Sequence, residues 1–159
     1  MTAEPTYVLF RADRLDDAVA AMASLTDAHG GWINFQPAVD VADLPDAGGG
    51  FFGLFGGKGP DVPLGTWTPA SAPKRGRPDP PKIGLQHGAG ARAKPKLVEL
   101  GHPVPDGWVV LQDYIKKGLV VAVPPDVPHA DVLSWLLGAA RALSNIPLGG
   151  DWRAEVYRA

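Results

Sequence analysis

The chain has 159 residues, 45% of them hydrophobic, and a net charge of −2: enough for one domain with a core, and too balanced for a chain that stays disordered. It has no cysteine, which excludes disulfides and thiolate chemistry and allows a reducing compartment. No apolar stretch approaches the about 18 residues of a membrane span, and no basic-then-apolar leader opens the sequence, so the expectation is a cytoplasmic protein with no membrane partner. The 22 alanines, 20 glycines and 17 prolines point to a GC-rich genome, which lowers the weight of any single glycine or proline. Charge is uneven. Residues 1–61 carry nine acids and three bases, and residues 62–118 carry nine bases and four acids, a split that two facing segments of one fold would also produce.

Thr6–Arg11 is rich in β-branched and aromatic residues and reads as a strand. Asp13 then has the chemistry of a helix N-cap, with Asp16 and Asp17 in the first turn, where the helix dipole favours anions. Leu15, Val19, Met22 and Leu25 recur at helical spacing, Gly30 and Gly31 supply the stop, and Trp32–Gln36 is the next strand, ended by Pro37. Residues 6–39 are thus a β-α-β unit.

Residues 40–81 lose this periodicity and read as a long Gly/Pro-rich loop. Asp40, Asp43 and Asp46 are spaced by three rather than by the two-residue steps of a calcium-binding EF-hand loop, so they are not read as ligands. The glycine-rich run from Gly48 to Gly57 carries Phe51, Phe52, Leu54 and Phe55, which suit an interaction tip or, equally, a flap folded into the core. Val62–Thr68 reads as a short strand around Trp67, and residues 69–81, with Lys74, Arg75 and Arg77, as an exposed loop.

Order returns with a strand at Lys82–Gln86, a glycine turn at His87–Gly90, and a short helix stopped by Gly101. Pro95 fits only the first turn of that helix, so the helix starts near Ala93. Trp108–Ile115 and Leu119–Val123 are strands joined by a hairpin at Lys116-Lys117-Gly118. A helix over residues 128–143 opens on Pro128 and carries an apolar stripe from Val132 to Leu143. Trp152–Tyr157 alternates and closes the chain. This β-α-β-β-α-β order over 82–157 is that of the ferredoxin-like sandwich, and the expectation is a single α+β domain over 1–159 built as two layers.

The turn after the 82–86 strand is the first candidate site. His87, Gly88, Gly90 and Arg92 offer turn N–H groups and a counter-charge for the carboxylate or phosphate of a small anionic metabolite. The pattern is too short for a dinucleotide fingerprint and lacks the Lys-Ser/Thr of a P-loop. Because Pro95 moves the helix start beyond the glycines, a purely structural turn is the favoured reading. His87 with Asp113 is a weak acid–base pair candidate if their strands are neighbours. Histidines 29, 87, 102 and 129 share no metal-ligand spacing, so no metal and no cofactor are expected. The stretch 74–96 holds seven Lys/Arg and one Asp but no base-stacking aromatic, which argues against nucleic acid. The functional expectation is a non-enzymatic binding or interaction module, self-associating into a homo-oligomer through its sheet or the 51–57 loop. The alternative is a small-molecule-binding domain or small enzyme with its site at His87–Arg92.

Overall fold

The computed structural model describes residues 4–39, 60–72, 76 and 78–159. These form seven strands and three helices: β1 (Thr6–Arg11), α1 (Asp16–Ala28), β2 (Trp32–Pro37), β3 (Leu64–Thr68), β4 (Lys82–Gln86), α2 (Ala93–Glu99), β5 (Val109–Tyr114), β6 (Gly118–Ala122), α3 (His129–Leu143) and β7 (Asp151–Tyr157). The loop residues Phe51, Phe52, Leu54 and Phe55 lie outside the described residues, as do Asp40, Asp43, Asp46, Lys74, Arg75 and Arg77.

All seven strands join one antiparallel sheet in the order β1-β7-β2-β3-β4-β6-β5. This overturns the expected two-layer ferredoxin-like sandwich. In that fold β7 would lie beside β4, giving β7-β4-β6-β5. Here β3 already fills that edge of β4, from Leu64↔Gln86 to Thr68↔Lys82. β7 instead inserts between β1 and β2 and gains a six-pair ladder on each side. Element order was read correctly, but it does not say which edge a late strand finds free.

Strand registers set the core in rows across the sheet. One row runs Val8, Ala154, Phe35, Gly65, Leu85, Leu119 and Asp113; the next runs Thr6, Val156, Ile33, Trp67, Ile83, Val121 and Val110. Most of these side chains are buried, with Thr6, Val8, Val110 and Asp113 on the outer strands more open, because alternate residues of a strand share a face and this face carries the helices. α1 contributes Ala18, Met22 and Leu25, and α3, packed between α1 and α2, contributes Val132, Leu133, Leu136, Ala140 and Leu143. Gly65 is the contact point: a Cβ there would meet Leu136 Cδ2 at 3.1 Å, so the missing side chain lets α3 settle on β3.

Asp113 reaches the helix-bearing face through a β-bulge. Register shifts between Val110, opposite Val121, and Gln112, opposite Val120. The extra residue, Leu111, advances the alternation by one, so Asp113 rather than Gln112 points toward the helices. Two local expectations also change. α1 is capped at Leu15 rather than Asp13, whose carboxylate pairs instead with Arg11 Nε at 3.3 Å. Its stop is His29 in the left-handed region (φ 53°), one residue before Gly30. α3 begins at His129, with Pro128 just outside it. None of the described helices is long and apolar enough to cross a membrane.

Candidate functional site

The helix start just beyond the glycine turn holds an anion, and the anion is the protein's own. Asp113 Oδ1 accepts the Ala93 N–H at 2.7 Å and Oδ2 accepts the Lys94 N–H at 3.0 Å. These are the free donors of the first turn of α2, which has no capping side chain at Arg92. A carboxylate from β5 therefore does the work of an N-cap across 20 residues of sequence. Arg92 and Gly90 are exposed, with Gly90 at φ 73°, while Gly88 is buried and its carbonyl accepts a hydrogen bond from Asn145 Nδ2. The same amide group donates to Asp61 Oδ1 at 2.8 Å, tying three loops together.

His87 is 1% exposed. Its Nδ1 accepts the Ala89 N–H at 3.3 Å, so in the neutral ring the proton sits on Nε2, which has no partner among the described residues. Burial holds this imidazole below its ordinary value near 6.5, against the opposing pull of the Asp113 carboxylate. β6 separates β4 from β5, so His87 and Asp113 stand two strands apart, roughly 10 Å. The structure therefore does not bring them into an acid–base contact.

A different cleft is built at the other end of the sheet, where α2 ends and α3 begins. α2 closes with Gly101 at φ 76°, its N–H bonded to Val98 O at 3.1 Å and the His102 N–H to Leu97 O at 2.8 Å. This paired closure turns the chain back onto α3. His102 Nε2 donates to Trp135 O at 2.9 Å, a carbonyl that can only accept, and Trp135 Nε1 donates to Pro103 O at 2.9 Å. The two rings stack at 5.4 Å with 19° between planes. The segment His102-Pro-Val-Pro-Asp-Gly-Trp108 then makes a turn closed by Trp108 N–H to Pro105 O at 3.2 Å. Gly107 (φ 86°) sits at the position of that turn requiring positive φ.

The opposite wall is one face of α3, where Asp131, Ser134 and Trp135 follow at i, i+3 and i+4. Trp108 meets Trp135 edge-to-face, with centroids 5.4 Å apart and planes at 67°. Together with Pro105 and Val127 these residues line a shallow cleft, largely open to solvent, of about 430 Å³. It exceeds the hollows beside Leu9 and Asp151, about 300 Å³, beside Arg141 and Leu148, about 190 Å³, and around His129, about 110 Å³.

No family model, curated protein or solved structure matches the chain. Chemistry must therefore be read from the cleft itself. Among the described residues neither Ser134 nor Asp131 makes a side-chain hydrogen bond with His102, whose Nε2 proton is spent on a helix carbonyl. The cleft is a polar-rimmed aromatic pocket. No three His, Cys, Asp or Glu side chains among the described residues group closely enough to hold a metal ion.

Sequence reasoning passed over this cleft. Spacing offers His102 only as a metal ligand, and patterning offers Trp108 only as the start of a strand. One signal was present: Gly138 interrupts an otherwise strong helix former. A glycine inside a helix costs about 1 kcal/mol against alanine, and here it leaves room for the His102 ring.

Proposed function

We propose that the protein is a non-catalytic binding domain whose ligand occupies the cleft between Trp108 and the Asp131–Trp135 face of α3. The observation that carries this reading is the reciprocal pair of hydrogen bonds, His102 to Trp135 O and Trp135 to Pro103 O. They fix Trp135 and the His102 ring stacked on it before any ligand arrives, so little ordering entropy remains on that wall to oppose binding. Mapping backbone amide shifts against a library of small amines, carboxylates and neutral aromatics tests it. Hits are expected to move amides in 102–108 and 127–135. Hits confined to 87–92, above all from carboxylates or phosphates, would favour the anion site at His87–Arg92 instead.

A second reading is self-association through β1, an outer strand of the sheet among the described residues. Tyr7 and Leu9, on its face away from the helices, are 58% and 75% exposed. β1 is regular along its whole ladder, whereas the other outer strand, β5, is broken by the bulge at Leu111. Bulged edges resist pairing and regular ones invite it. In a two-fold antiparallel pairing centred on Val8, Tyr7 of one copy lies opposite Leu9 of the other. Light scattering is expected to give a multimer that Leu9→Lys converts to a monomer; a monomeric parent chain would end this reading.

A further inference from the structure

We infer that the group held in the cleft is an alkylated ammonium cation, an inference that rests on the cleft being the ligand site. Three features of the walls converge on it. First, the cleft is lined by two indoles set at 67° to one another. The faces of an indole carry negative charge density and attract cations more strongly than any other side-chain ring. Trp135 is 8% exposed because His102 covers one of its faces, so Trp108, half-buried, presents the more open ring.

Second, the charge is of one sign. The two segments that wall the cleft, 102–108 and 123–135, carry Asp106, Asp126 and Asp131 and no Lys or Arg. Asp131 lines the cleft itself and is exposed. Arg141 lies ten residues further along α3, about 15 Å away at the helical rise. A carboxylate or phosphate entering here meets Asp131, with no Lys or Arg among the described lining residues to receive it.

Third, hydrogen-bonding capacity is sparse. Beyond Asp131 and the Ser134 hydroxyl, the lining is Pro105, Val127 and the rings. A guanidinium brings five N–H donors and a bare ammonium three, more than these walls satisfy. An ammonium whose hydrogens are replaced by methyl groups needs no such partners. It is held by the open face of Trp108 and one carboxylate, with its methyls against Pro105 and Val127.

Choline and its neutral carbon isostere, 3,3-dimethyl-1-butanol, differ in charge while keeping nearly the same shape, and titrating each into the full chain tests the inference. Choline is expected to bind about threefold to thirtyfold tighter than the isostere, the range of cation–π attraction from exposed to desolvated sites. Asp131→Asn, a surface change, is expected to narrow that ratio; Trp108→Leu is expected to remove it while keeping apolar volume. A peptide carrying trimethyllysine serves as a third arm. Tighter binding by the peptide than by choline assigns the cation to a protein side chain, and the reverse assigns it to a free metabolite. Equal affinity for choline and the isostere overturns the inference. If choline fails while neutral aromatics still perturb residues 102–108, the cation is wrong and the cleft stands. If no compound perturbs the cleft, the inference and the binding-site reading fall together.

Discussion

The His102 ring occupies the space that a side chain on Gly138 would fill: a Cβ built there falls 2.6 Å from His102 Cε1 and 3.0 Å from Nε2. The glycine costs helix stability, and the ring that it admits anchors one end of the cleft. Replacing it sets two effects of opposite sign against each other. Alanine gains about 1 kcal/mol of intrinsic helix propensity, while an overpacked contact costs about 1–3 kcal/mol. His102 is held by Trp135 O and by the stacked indole, so the clash is expected to win. Gly138→Ala should destabilise the protein in urea, yet stabilise it by up to about 1 kcal/mol in a His102→Ala background. The same sign in both backgrounds would show that the ring is not what requires the glycine.

Asp113 carries a second test. Its two oxygens satisfy the first donors of α2, so Asp113→Ala is expected to cost about 1–2 kcal/mol. The loss should be local, with faster hydrogen exchange at Ala93, Lys94 and the turn that follows, and little change in β1 or β7. Uniformly faster exchange across the sheet would mean that the carboxylate has a wider role than capping.

Acid sensitivity follows from two imidazoles. Burial lowers the pKa of His87, and it also lowers that of His129, whose Nε2–H donates to Thr26 Oγ1 at 2.9 Å while that hydroxyl donates to Met22 O. Nearby Asp113 and Asp27 oppose the shifts without reversing them. Below the ordinary value near 6.5 the unfolded chain takes up protons that the folded chain refuses, so stability falls as pH drops through that window. Above it these two rings contribute no slope. Urea midpoints between about pH 7.5 and about pH 5.5 should show the decline, and His87→Asn, which keeps an acceptor for the Ala89 N–H, should flatten part of it. An unchanged slope in that variant would remove His87 from the explanation.

Much of the fold was legible because hydrophobic periodicity is local. β1 and β4 were read at their observed bounds, and Pro95 placed the start of α2 at Ala93. Sheet order was not legible, since β7 chooses between the free edges of β1 and β2 and an edge of β4 that β3 has already taken. The sequence offers an anion site at His87–Arg92 and favours a structural turn there; it does not show Asp113 at the helix start just beyond, because a single bulge at Leu111 decides which of Gln112 and Asp113 faces α2. The cleft was hidden for a similar reason. Trp108 and Trp135 are 27 positions apart, and only the chain reversal at Gly101 and the His102–Gly138 contact bring their rings together.

The five tryptophans, at positions 32, 67, 108, 135 and 152, offer the most direct test of the cleft. Only two of them line it. With fluorotryptophan incorporated, a choline titration followed by fluorine NMR is expected to move the Trp108 and Trp135 resonances together, along one saturable curve. Trp32, Trp67 and Trp152 should stay in place. Saturable shifts confined to those three, with Trp108 and Trp135 unmoved, would contradict the assignment of the cleft as the ligand site.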